Sequence, residues 1–277
     1  MEILALLFKT ILLRPYVFFF LAWFLFCAIQ LIGWPRTWRF WLISWVIAFV
    51  CEFSSTRTGI PFGRYEYNGS TVGQELYIFN IPFMASLSFS FLLYAAYCTA
   101  LCFLLPRDRS LEPSRGYLAP LQFDLTARTG RHALVLTALL FAGIDMVIDP
   151  AALRGEQWFL GKIYAYPDPG PHFGVPITNY IGWVVLGLFS LSIFLPLDHR
   201  LAPVPAMDGT STTQWLLLGV GLYYSVLVFN LAVTFWIGET VLGMTGLLMF
   251  LLLTVPLLLR LTGRLGFFSK RSPCSST

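Results

Sequence analysis

The chain has 277 residues, 57% of them hydrophobic and only 12% charged, with a mean hydropathy of +0.72. A soluble domain carries about 25% charged residues, so this chain cannot clothe an apolar core in water, and its surroundings must be lipid. The net charge of +4 comes from Lys and Arg confined mostly to connections. That pattern reads as control of membrane topology and excludes a nucleic-acid surface as the main role.

In chain order, residues 2–13 suit an interfacial helix or an extension of the first span. No small-residue cleavage site follows the first apolar run, which reads as a retained helix. Stretches close to the ~20 apolar residues that a spanning helix needs are predicted at 16–32, 38–53, 78–105, 132–148, 178–195, 214–237 and 241–261. The second and fourth are short. The expected fold class is an all-α integral membrane protein, a bundle of about seven transmembrane helices. It forms one polytopic domain over 1–277, with its motifs in 45–190 and its C-terminal helices in 214–262.

Seven spans alternate the connections between two sides. The side with the N-terminus and the loops near 54–77, 149–177 and 238–240 carries six basic residues: Lys9, Arg14, Arg57, Arg64, Arg154 and Lys162. The other side carries twelve: Arg36, Arg39, Arg107, Arg109, Arg115, Arg128, Arg131, Arg200, Arg260, Arg264, Lys270 and Arg271. The positive-inside rule makes that second side cytoplasmic. Four of the five cysteines (Cys27, Cys51, Cys98 and Cys102, but not Cys274) fall in or beside apolar runs, where they read as small packing residues.

The loops differ in kind. Residues 106–131 and 196–213 read as polar connectors. Residues 54–77 and 149–177 are dense in Gly, Pro, Tyr, Trp and acids, and both are expected on one face. The first contains Thr58-Gly59-Ile60-Pro61-Phe62-Gly63-Arg64-Tyr65-Glu66-Tyr67, in which the glycines open backbone angles closed to other residues and the proline stiffens the turn. The second runs from Asp149-Pro150 through Trp158 and Tyr164 to His172-Phe173-Gly174-Val175-Pro176-Ile177-Thr178-Asn179-Tyr180-Ile181-Gly182-Trp183. A helix-capping turn is the bland reading of the first loop, and an N-cap that of Asn179. A lone loop histidine such as His172 is more often a bystander than a catalyst.

Acids inside a membrane are costly and mark function by default. Glu52 closes the second span, Asp145 and Asp149 share a helical face at the end of the fourth, and Glu239 lies between the last two. All four fall near the face of the motif loops, although acids at helix ends also serve simply to mark the water interface. The three histidines, His132, His172 and His199, form no H-x-x-x-H box, which removes the ligands of a membrane di-iron oxygenase. No G-x-G-x-x-G follows a strand. None of Lys9, Lys162 and Lys270 is placed for a retinal Schiff base in the last span.

Together the two loops resemble the membrane-integral carotenoid biosynthesis family that includes carotenoid 1,2-hydratases and bisanhydrobacterioruberin hydratases. The residues that carry the likeness are Glu52 followed by Thr58-Gly59-x-Pro61-Phe62-Gly63-x-Tyr65-x-Tyr67, then Asp145-x-x-x-Asp149-Pro150, Trp158 and Phe173-Gly174-Val175-Pro176-x-x-Asn179-x-x-Gly182-Trp183. The family pattern has a Gly-Val-Pro and a Trp near the start of the third span, where this chain reads Phe79-Asn80-Ile81-Pro82.

The resemblance implies hydration of a terminal C=C of an acyclic or monocyclic carotenoid, by protonation from a carboxylic acid and capture of the cation by water. Glu52, Asp145 and Asp149 are the expected catalytic residues; Glu52 and Asp145 each end an apolar helix beside a motif loop, which makes them the central pair, with Asp149 supporting. Thr58, Gly59, Pro61, Phe62, Gly63, Tyr65, Tyr67, Trp158, His172, Phe173, Gly174, Pro176, Asn179 and Trp183 are expected to bind substrate or shape the site. Neither a metal nor another cofactor is expected. The expected partners are a long polyene, water, the lipid bilayer and other enzymes of the same pathway, with no nucleic acid. The expected location is a multi-pass position in the cell membrane of a prokaryote. Three alternatives stay open: a membrane carotenoid cyclase, a Mg²⁺-dependent prenyltransferase using Asp145 and Asp149, and a non-catalytic carotenoid-binding subunit.

Overall fold

The computed structural model describes residues 2–108, 118, 120–201, 204 and 207–262. Arg109, Arg115, Arg264, Lys270 and Arg271 of the basic tally, and Cys274, lie outside the described residues. The helices are α1 (Glu2–Leu13), α2 (Pro15–Ile32), α3 (Trp34–Thr58), α4 (Phe83–Leu104), α5 (Leu125–Thr129), α6 (Arg131–Ala152), α7 (Ile177–Arg200), α8 (Gly209–Trp236) and α9 (Thr240–Leu261). Four short strands complete the order: β1 (Glu66–Tyr67), β2 (Tyr77–Ile78), β3 (Ile81–Pro82) and β4 (Tyr164–Ala165).

Six helices, α2, α4, α6, α7, α8 and α9, are long and apolar enough to cross a membrane. α3 is equally long at 25 residues but carries Arg36, Arg39, Glu52 and Arg57. At 1.5 Å per residue it extends about 37 Å, enough for a bilayer core, and it makes the seventh long helix of the bundle. Large apolar side chains stand exposed around the outside, among them Phe19, Phe26, Val50, Leu139, Phe189 and Leu252. Soluble monomers rarely expose so much large apolar surface, and the chain is a multi-pass membrane protein.

α4 is the hub. It has no charge and many small residues (Ala85, Ser86, Ser90, Ala95, Ala96, Cys98, Thr99, Ala100), so neighbours approach it on every side. It packs against α2, α3, α6 and α8, while α7 bridges α3 and α6 and α9 lies outside against α8. Local chemistry sets the element ends. Arg14 breaks the helix before Pro15 starts α2, Gly59 ends α3 in the left-handed conformation, and Asp208 caps α8 by accepting from Ser211 N at 2.7 Å.

Several boundaries correct the expectations. The third span begins at Phe83 and not at residue 78, because residues 77–82 turn back on themselves as the β2–β3 hairpin, with Phe79 at φ 56°. α6 runs past Asp149 and through Pro150 to Ala152, so Asp145 and Asp149 both project from helix. The 106–131 connector contains α5, capped by Asp124. α1 is a helix of its own and does not extend α2.

The two motif loops share one face, as expected. β1 pairs antiparallel with β4, and Asn68 N donates to Ile163 O at 2.9 Å. α1 joins them there: Leu76 N donates to Thr10 Oγ1 at 2.7 Å, and Arg14 binds Glu75 at 3.2 Å and Leu160 O at 2.8 Å.

Candidate active site

Beneath the β1–β4 ribbon lies a cavity of about 180 Å³. Glu52 of α3, Asp145 and Asp149 of α6 and Asn179 of α7 reach it, as do Tyr65, Tyr67, Tyr164 and Tyr166 of the ribbon. Apolar walls come from Val17 and Phe20 of α2, Met84, Phe89 and Leu92 of α4, Trp183 of α7 and Val226 and Phe229 of α8.

The register of the ribbon explains the tyrosines. Glu66 faces Ala165 and Tyr67 faces Tyr164, which sets Tyr65 across from Tyr166. Side chains alternate along a strand, so all four phenols fall on one side. Their rings pack edge to face, with centroids 5.5 Å apart for Tyr65–Tyr67 and 6.0 Å for both Tyr65–Tyr166 and Tyr164–Tyr166. Burial pushes all four phenols well above the ordinary tyrosine range, and the nearby carboxyls add to it. Each is therefore a neutral O–H donor.

Those donors serve the acids. Tyr67 donates to Glu52 Oε1 at 2.6 Å, and Ser86 donates to Glu52 Oε2. Asp149 accepts from Tyr164 at Oδ1 and from Tyr166 at Oδ2, the latter at 2.8 Å. Asn179 Nδ2 sits between the two aspartates, 2.6 Å from Asp145 Oδ2 and 3.0 Å from Asp149 Oδ2. Asp145 Oδ1 is buried and has no hydrogen-bond partner among the described residues. Among the described residues, no arginine or lysine forms an ion pair with any of the three carboxyls. Trp183 stacks on Phe89 in the cavity wall at 4.5 Å and meets Phe141 behind it at a tilt, also at 4.5 Å.

The chain matches the carotenoid biosynthesis protein family over residues 3–253. It belongs to that family. A bisanhydrobacterioruberin hydratase of Haloarcula japonica is 29% identical over 181 residues, which is 63% of this chain and 52% of the relative. The alignment thus spans about half the length of that curated relative. No solved structure matches the chain.

Within this carotenoid biosynthesis protein, the residues singled out from the sequence divide into two groups. Glu52, Phe62, Tyr65, Tyr67, Asp145, Asp149, Trp158, Asn179 and Trp183 line the cavity. Thr58, Gly59, Pro61, Gly63, His172, Phe173, Gly174 and Pro176 are not among its lining and lie in the two loops around it. Gly63 has φ 89°, and a Cβ there would lie 2.6 Å from Thr178 Oγ1. Gly182 of α7 admits the first loop, since a Cβ would lie 2.4 Å from the Phe62 ring. Gly59 and Gly174 also have positive φ, and Pro176 precedes α7 as its N-cap.

His172 lies away from the cavity, with Nδ1 2.5 Å from Tyr180 Oη, and partial burial lowers its pKa. Glu239 is paired with Arg154, whose guanidinium also holds Phe173 O at 3.2 Å. The fourth acid noted from the sequence thus anchors the second loop. Sequence reasoning missed Ser86 and Tyr166, and it named Tyr164 in the second loop without placing it in the site. The repeated Tyr-x-Tyr string at 65–67 and 164–166 is the signal that could have found Tyr166; no comparable signal marks Ser86.

Proposed function

We propose that this protein adds water across a terminal C=C of an acyclic or monocyclic carotenoid. The observation that carries the reading is the set of three carboxyls, paired with no cation among the described residues, in an aromatic cavity under a ribbon of phenols. The likeness to a hydratase supports it. In this reading Asp145 donates the proton, because Oδ2 is held by Asn179 while Oδ1 is free to carry a hydrogen. Glu52 and Asp149 accept hydrogen bonds at both of their oxygens, which favours the carboxylate, the form that can take up a proton.

The proton goes to the less substituted carbon. The π pair becomes the new C–H bond, leaving a tertiary cation on the carbon that bears the methyls. The faces of Trp183, Phe89 and Tyr65 stabilise that charge. A lone pair of water forms the C–O bond, and the proton shed passes to Glu52 or Asp149. Proton transfer back to Asp145 restores the starting state. One water is consumed, and no electrons enter or leave.

The test is incubation of the protein in lipid nanodiscs with an acyclic carotenoid in ¹⁸O-labelled water. The expected product gains one water and carries the label in its hydroxyl. A ring-closed product of unchanged mass would replace this reading with a cyclase.

A further inference from the structure

The size and walls of the cavity limit what can enter it. An apolar cavity of about 150 Å³ holds one benzene, and this one measures about 180 Å³. A five-carbon end unit and a water fill it, whereas a polyene of several such units does not. The rest of the chain must leave through a wall.

Two of the walls are closed. The ribbon and the Arg14–Glu75–Leu160 clamp form the roof, which faces water and is a poor exit for a hydrocarbon. Toward the bundle centre, Phe24, Phe40 and Tyr94 are fully buried and packed ring on ring, with 4.9 Å between Phe24 and Tyr94. The seam between α2 and α8 is different. Its far half is pinned by Trp23 Nε1 donating to Leu218 O at 3.1 Å and by the Phe26–Trp215 contact. Its half beside the cavity carries three rings, Tyr16, Phe159 and Phe229, with centroids 5.7 to 6.1 Å apart. Tyr16 and Phe229 line the cavity, while Phe159 is 58% exposed on the outside. Between cavity and lipid here stands one layer of rings, of which Phe159 and Phe229 rotate without breaking a directional bond, while Tyr16 is also held at its hydroxyl by Arg14.

We infer that one end of the substrate enters from the bilayer between α2 and α8, past Tyr16, Phe159 and Phe229, while the remainder of the polyene stays in lipid. The inference rests on the hydratase reading for the kind of occupant. Selection then acts on the end group, and the length and far end of the molecule matter little.

The test is binding to protein in nanodiscs, read as quenching of tryptophan fluorescence by the polyene. Three probes of equal length carry two open ends, one open and one ring-capped end, or two ring-capped ends. Wild-type protein is expected to bind the first two within about threefold, and the doubly capped probe at least about tenfold more weakly. Joining Tyr16→Cys to Phe229→Cys with a short bismaleimide is expected to weaken binding of the open-ended probe at least about tenfold, relative to the same protein before joining.

Equal binding of the doubly capped probe, no binding of any probe by wild-type protein, or unchanged binding after joining would each overturn the inference. The readout is binding and not turnover. If this pattern holds while no ¹⁸O enters the product, the hydratase reading fails and the lateral entry stands.

Discussion

The bundle buries one group of carboxyls beside the motif-end cavity and another, Asp198, at its far end, and it satisfies the two by opposite means. Away from the motif loops, Asp198 of α7 lies between Arg36 of α3 and Arg128 of α5, with one guanidinium on each of its oxygens. Tyr97 of α4 adds a bond to Arg128 O at 2.9 Å. Around the motif-end cavity, Glu52, Asp145 and Asp149 meet, among the described residues, hydroxyls and an amide in place of cations. A carboxylate fixed between two cations is a fastener, since its charge is needed where it is. A carboxyl held by neutral donors can exchange a proton without leaving a bare charge behind. Burial alone therefore does not separate structural acids from chemical ones; the partners do.

Four substitutions sharpen that contrast, from the largest effect to the smallest. Asp145→Asn keeps the bond to Asn179 sterically feasible but removes the donor. Conversion per folded molecule is expected to fall ~10²–10⁴-fold, while detergent-solubilised yield stays near wild type. Asp198→Asn leaves Arg36 and Arg128 without their counter-charge and is expected to cost ~3–5 kcal/mol. Its signature is a lower melting temperature and yield, with activity preserved in the molecules that fold. Gly63→Val forces a β-branched residue into a left-handed conformation against Thr178, costing ~1–3 kcal/mol locally. Activity should fall further than global stability, which a melting curve beside an activity assay would reveal. Tyr166→Phe removes one of three donors to Asp149, and a loss of about fivefold in turnover is expected with little change in melting.

Much of this is legible in the sequence because lipid imposes simple rules. Long apolar runs mark the spans, and costly acids within them mark Glu52, Asp145 and Asp149. The parity of the spans alone puts the two loops on one face, and the β1–β4 pairing agrees. What stays hidden depends on pairing between distant segments. The two Tyr-x-Tyr strings are ordinary apart, and only the antiparallel register brings Tyr65, Tyr67, Tyr164 and Tyr166 together. Ser86 sits where the third span is expected to be uniform helix, and the hairpin before Phe83 sets its height against Glu52. Glu239 stands out from the sequence as an acid near the motif face, but its pairing with Arg154 requires the fold.

The most direct test of the account is the mass of pigments from a host that makes acyclic carotenoids and expresses either the wild-type protein or Asp145→Asn at equal folded levels. The account predicts pigments heavier by one or two waters with the wild type, and unaltered pigment with the variant. Hydrated pigment from both proteins in equal amount would contradict it.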